Sequence, residues 1–182
     1  MKEISLHIMD LVQNSIRAKA SEIKVMISES LKDNFLKIDI NDNGSGMSPE
    51  ILQKVTDPFF TSRTTRSVGL GIPLFKQLVD QCNGSFMIQS TEGKGTQVSS
   101  VMELRHIDRQ PIGDIAGIMV LLISANPHIR FLYSHKTDSG EYNLDTHEVK
   151  EALGINGSYD PGILKYLKEM IYENLKEIET SS

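Results

Sequence analysis

Asp10 and Asn14 stand four residues apart near the start of the chain, and Asp42, Gly44 and Gly46 crowd into one short turn further on. Residues four apart share a face of a helix. On such a face an Asn carbonyl is a hard oxygen ligand suited to Mg²⁺, which completes its shell with water and phosphate oxygens. A carboxylate one turn earlier can accept a proton from an attacking water or hydroxyl. Asp42 opens the stretch Asp42-Asn43-Gly44-Ser45-Gly46-Met47. Its carboxylate, an acceptor only when ionised, suits a ligand amine such as the exocyclic amine of adenine. Gly44 and Gly46 have no Cβ, so the backbone there can take positive φ and approach a flat ligand. A second glycine cluster, Gly69-Leu70-Gly71, opens a helix whose free amides make an anion site. Taken singly, each of these is also ordinary: a solvated helix face, a surface turn, a glycine pair before a helix.

The surrounding periodicity supplies elements to hold them. Ile4, Ile8, Leu11, Val12 and Ile16 recur at helical spacing, which predicts an amphipathic helix over residues from about 3 to 20. Leu36, Ile38 and Ile40 alternate with polar neighbours, so a half-buried strand runs out at Asp42. The stretch Thr56-Asp57-Pro58-Phe59-Phe60-Thr61-Ser62-Arg63-Thr64-Thr65-Arg66-Ser67-Val68 shows neither period, and its Ser, Thr and Arg content suits a mobile loop over phosphates. Pro73 fits the first turn of the next helix, with Leu74, Leu78, Val79 and Cys82 on its apolar side and Asn83-Gly84 at its end. Phe86 and Ile88, then Val98, Met102 and Leu104, mark two strands around the turn Glu92-Gly93-Lys94-Gly95-Thr96.

In this order and spacing, Asp10-Leu11-Val12-Gln13-Asn14-Ser15, the Asp42 turn, Asp57-Pro58-Phe59-Phe60-Thr61-Ser62, Gly69-Leu70-Gly71-Ile72 and Gly93-Lys94-Gly95-Thr96 resemble the boxes of the GHKL ATPases. That superfamily joins gyrase, the heat-shock chaperone ATPases, histidine kinases and the mismatch-repair MutL proteins. The match runs over residues from about 3 to 104, and its Phe-Phe, glycine and Gly-Thr boxes are most similar to the catalytic domain of a sensor histidine kinase. The resemblance implies ATP and Mg²⁺ as cofactors. Asn14 would coordinate the metal. Asp42 would bind the adenine amine, with Gly44 and Gly46 shaping the adenine wall and Thr96 supporting it. Gly69, Leu70 and Gly71 would bring backbone amides to the phosphates, Phe59 and Phe60 would border the nucleotide, and Arg63 would meet the γ-phosphate.

Two departures bear on the chemistry that the resemblance implies. Typical histidine kinases carry Asn four residues before the metal Asn, whereas this chain has Asp10, at the position where hydrolysing relatives hold a Glu general base. Asp10 is therefore the candidate catalytic base, with hydrolysis and phosphotransfer both open. The loop from 61 to 68 is short for a lid. A sensor kinase also carries a helical hairpin with its phospho-acceptor His, and none is expected before a helix that starts almost at Met1. His7 lies inside that helix and is read as structural, and His106, His128, His135 and His147 form no metal spacing. Cys82 reads as a buried, inert thiol.

The 182 residues carry a net charge of -5, which argues against a generic binder of nucleic-acid phosphates. One cysteine supplies no disulfide framework, no signal peptide is evident, and the apolar run from 115 to 123 is too short to span a bilayer. A cytoplasmic protein without membrane contact is expected. Two units are predicted: an ATP-binding domain over 1–105 and a small α+β extension over 106–182. The extension reads as a helix over about 114–125, a hairpin around Asp138-Ser139-Gly140, a short helix capped by Asp145 with Glu148, and a last helix from Asp160-Pro161 with the stripe Ile163, Leu164, Leu167, Met170, Ile171 and Leu175. The expected fold is an α/β sandwich of the Bergerat ATP-binding type, with a mixed, mostly antiparallel sheet backed by helices. Three functions fit: a histidine-kinase-like phosphotransfer module acting on a separate protein partner, an ATP-hydrolysing clamp that forms a homodimer, and an ATP sensor without catalysis.

Overall fold

The structure is a computed structural model that describes residues 2–57, 59 and 70–181. Along the chain come α1 (Ile4–Arg17), β1 (Glu22–Ser30), β2 (Phe35–Asp42), α2 (Pro49–Lys54), α3 (Gly71–Gln81), β3 (Ser85–Thr91), β4 (Gly95–Met102), α4 (Ile115–Ala125), β5 (Arg130–Lys136), β6 (Glu141–Asp145), α5 (Thr146–Leu153) and α6 (Pro161–Glu177). Among the described residues the strands form a six-stranded sheet in the order β3-β4-β2-β1-β5-β6. Every pairing is antiparallel except that of β1 with β5. The mixed, mostly antiparallel sheet of the sequence reading is therefore observed.

Alternation places Ile23, Val25 and Ile27 of β1, Leu36, Ile38 and Ile40 of β2, and Phe131 and Tyr133 of β5 in the core, while Lys24, Lys37 and Val101 are exposed. Strand β1 was absent from the sequence reading, although its Ile-Val-Ile alternation has period two; it sits near the middle of the sheet, between β2 and β5. The helices α3, α1, α4 and α6 pack side by side in that order against the buried face. One continuous apolar cluster joins residues from both sequence stretches, from Ile4 to Ile178.

Local chemistry accounts for the helix ends. Helix α1 stops at Arg17 rather than near 20, because Lys19 turns left-handed (φ 58) and the amides of Lys19 and Ala20 close back on Ile16 and Ser15. In α3 the buried row is Phe75, Leu78, Val79 and Cys82, at helical spacing, whereas Leu74 is turned off it and is 39% exposed. Asp145 caps α5 through the His147 amide, and Asp160 caps α6 through Ile163 with Pro161 in the first turn. The α6 stripe packs inward through Leu167, Ile171 and Leu175. No described helix is long and apolar enough to cross a membrane.

Candidate functional site

Helix α1 brings one face to the end of β2. Leu11, Asn14, Ser15 and Ala18 recur at three- and four-residue spacing along it and line a cavity of about 170 Å³. Strand β2 contributes Ile40 and Asp42, strand β4 contributes Thr96 and Val98, and Ser45, Gly46, Met47, Ile51 and Ile72 complete the wall. The interior is thus mostly apolar with one carboxylate, which is the make-up of a small-molecule site for a flat, amine-bearing ligand.

Asp42 is fixed from two sides. The Ser15 hydroxyl donates to Oδ2 at 2.5 Å and the Gly44 amide donates to Oδ1 at 2.8 Å. Thr96 lies directly across from it in the β2–β4 ladder and shares a 2.8 Å hydrogen bond with Ser90, whose hydroxyl also accepts from the Met47 amide at 2.8 Å. The glycine turn is clamped between Ala18, whose carbonyl accepts from the Ser45 amide, and the β3–β4 turn, where the Gly93 amide donates to Ser45. Gly46 takes φ +67, and a Cβ there would lie 2.1 Å from the Thr91 carbonyl oxygen, so only glycine fits.

Asn14 faces the same cavity. Its Nδ2 is buried without a partner, and its Oδ1 accepts a long 3.4 Å bond from Arg17, the cation on the cavity wall. Asp10 lies one turn back, outside that wall and against the start of α3: a Cβ on Gly71 would stand 3.0 Å from the Asp10 Cβ. His7, a further turn back, is buried against Phe75 with its Nε2 3.2 Å from Gln110 Oε1. Burial holds its pKa below the ordinary 6.5. The buried Cys82 thiol is pushed up by desolvation, which fits an inert side chain.

The structure therefore gathers Asn14, Asp42, Gly46 and Thr96 around one cavity, keeps Gly44 off its wall as the amide that holds Asp42, and sets Asp10 and Gly71 beside it. Phe59 does not join them: it is 85% exposed. Leu70 is 52% exposed and borders a separate shallow depression with Pro73, Leu74 and Gln77. Phe60, Arg63 and Gly69 lie outside the described residues. Ser15 and Arg17 escaped the sequence reading as site residues, although their spacing from Leu11 and Asn14 on α1 carried the signal.

The family model for histidine kinase-, DNA gyrase B-, and HSP90-like ATPases matches residues 2–106, more than half of the chain. The chain belongs to this family. A putative sensor protein of Shewanella frigidimarina is 32% identical to the chain over 103 residues, covering 56% of the chain and 16% of that protein. A probable C4-dicarboxylate sensor kinase of Bacillus subtilis is 30% identical over 105 residues, 56% of the chain and 20% of the kinase. The chain thus spans a fifth or less of the length of these curated relatives. The ADP-complexed ATPase domain of Aquifex aeolicus MutL shares the fold, with a TM-score of 0.51 at 16% identity, over 86% of this chain and 70% of that domain. That likeness of fold covers more of the chain than the family match over residues 2–106.

Proposed function

We propose that the α1–β2–β4 cavity binds Mg²⁺-ATP and that the chain is a histidine-kinase-like regulatory module that passes the γ-phosphate to a separate protein partner. The observation that carries this is the carboxylate of Asp42, oriented by Ser15 and Gly44 at the floor of an otherwise apolar pocket. An adenine fits such a pocket: apolar walls take its faces and the fixed acceptor takes its amine.

The donor set is also what Mg²⁺ in an ATP complex requires. Among the described residues no cluster of three or more His, Cys, Asp or Glu side chains could cage a metal. Mg²⁺ in nucleotide sites takes one or two protein oxygens and completes its shell with water and phosphate. Asn14 would hold it through the amide oxygen, which has only the long contact with Arg17, and the orphaned Nδ2 marks an amide without its full set of partners. Bound there, the cation would offset charge on the phosphates. Arg17 supplies a cation beside Asn14, and Gly71 lets α3 begin close to Asp10, where backbone amides favour an anion. Asp10, one helical turn before Asn14 and against Gly71, would accept the proton of an attacking hydroxyl or water.

A hydrolysing clamp working as a homodimer is the second reading. It is favoured by Asp10 itself, a base where typical kinases carry Asn, and by the MutL-like fold over most of the chain. Incubation with γ-labelled ATP, alone and with lysate, separates the readings. Label on a second protein supports the kinase, free phosphate from the chain alone supports the clamp, and bound but unconverted ATP leaves a sensor.

A further inference from the structure

Two strands end the sheet, β6 on one side and β3 on the other. A sheet edge presents a row of backbone amides and carbonyls to any approaching strand, and proteins blunt it with shortness, charge or proline. Strand β6 is blunted in this way. It has five residues, with Glu141 exposed and Asp145 paired to Arg130 at 2.5 Å, and its core-facing Tyr142 and Leu144 are buried. Strand β3 is not blunted: its seven residues, Ser85-Phe86-Met87-Ile88-Gln89-Ser90-Thr91, include neither a charge nor a proline. Among the described residues its backbone groups bond only within the β3–β4 hairpin.

The apolar surface along this edge is left partly uncovered. Phe86 and Ile88, which face the helices, are half-buried, whereas Val98 and Met102 of the adjacent β4 are buried. On the opposite face of the sheet Met87 is 50% exposed. The helix layer shows the same on this side. Ile72 of α3 lines the cavity shared with α1, and Leu74, about 200° further round the helix, lies on the flank away from α1 beside Leu70, where both side chains are exposed.

A row of free backbone groups is satisfied along its length by another strand, and a second copy of β3 suits it. Run antiparallel about Ile88, two copies place Met87 opposite Gln89, Phe86 opposite Ser90, Ser85 opposite Thr91, and Ile88 opposite itself. No like charges meet, and each Phe86 and Ile88 gains cover on the side that its own helices leave open. The two-fold axis then stands perpendicular to the sheet, so both helix layers lie on one face and the two α3 flanks turn toward each other. Such a contact uses the same patch on both copies and closes at two.

We propose that two copies of the chain pair through β3, antiparallel about Ile88, into a closed dimer that forms without nucleotide. The pairing stands apart from the nucleotide reading and from the ATP-driven clamp.

Sedimentation equilibrium on the full chain without nucleotide tests it, from about 1 μM to about 1 mM, the range suited to a small interface. Wild type should pass from the mass of one chain to that of two. Met87 and Gln89 are exposed and point away from the core, so their substitution spares it. Met87→Lys sets two like charges diagonally across the axis, and the dissociation constant should rise about tenfold. Adding Gln89→Glu places an opposite charge across from each introduced lysine and should return the affinity to about that of wild type. Glu141→Lys, on the β6 edge, should leave it unchanged. In wild type the β3 amides should also exchange about tenfold more slowly at the dimeric end of the range, with those of β6 unaltered. The pairing is overturned by a single-chain mass throughout, which includes the case of an edge that accepts only a strand of another protein. It is equally overturned by a dimer that Met87→Lys leaves as tight as wild type, by a loss that Gln89→Glu does not reverse, by a dimer that Glu141→Lys weakens as much, or by β3 amides that exchange at one rate across the range.

Discussion

The Ser15 hydroxyl and the Asp42 carboxylate meet at 2.5 Å, joining α1 to the end of β2 at the cavity floor. This bond sets which lone pairs of Asp42 face the cavity, because Gly44 holds the other oxygen.

Asp42→Ala should weaken nucleotide binding about tenfold to a hundredfold, since a hydrogen bond to a charged group contributes roughly 1.5–3 kcal/mol. Ser15→Ala, which removes only the orienting bond, should cost up to about tenfold. Asn14→Ala should abolish the dependence of binding on Mg²⁺. Calorimetry with and without Mg²⁺ measures all three, and equal affinity of Asp42→Ala and wild type would remove the assigned adenine contact.

Asp10 and Gly71 predict a second pair of outcomes. Asp10→Asn keeps size but discards the base, so turnover should fall by about 10²–10⁴-fold with ATP affinity nearly unchanged. Gly71→Ala puts a Cβ 3.0 Å from the Asp10 Cβ and should displace that carboxylate, lowering turnover in a folded protein. Full-rate turnover by Asp10→Asn would make Asp10 a structural residue and move the sensor reading first.

Gly46→Ala tests the turn itself. The left-handed φ of 67 costs a side chain about 1–2 kcal/mol, and the 2.1 Å approach to the Thr91 carbonyl adds to it. A lower Tm together with weaker nucleotide binding is expected, and a Tm equal to wild type would show that the turn is free to move.

His7 gives the pH dependence its sign. Burial holds its folded-state pKa below the ordinary 6.5, so on acidification the unfolded chain takes up a proton before the folded one does. Its contribution is complete above 6.5 and is lost as the pH falls from there toward the lowered folded value. Urea unfolding at several pH values should show stability declining across that window, less steeply in His7→Phe. Identical slopes for the two proteins would take His7 out of the titration.

The sequence by itself determined the parts of this protein that local period and residue chemistry encode. The 3.6-residue recurrence of Ile4, Ile8, Leu11 and Val12 put Asp10 and Asn14 on one helix face, and the alternation of Leu36, Ile38 and Ile40 carried Asp42 to a strand end. With the glycine boxes in order, that was enough for the family. The tertiary structure alone decided which distant residues meet. Ser15 finds Asp42 across 27 positions, and Glu29 finds His135 across 106. The first meeting follows from the packing of α1 over β2, and the second from strand order, with β1 lying beside a parallel β5. Period two can mark a strand, as it does for Ile23, Val25 and Ile27, but it carries no record of the neighbour. That choice is made by burying every apolar face at once, which is a property of the whole sheet and its helices.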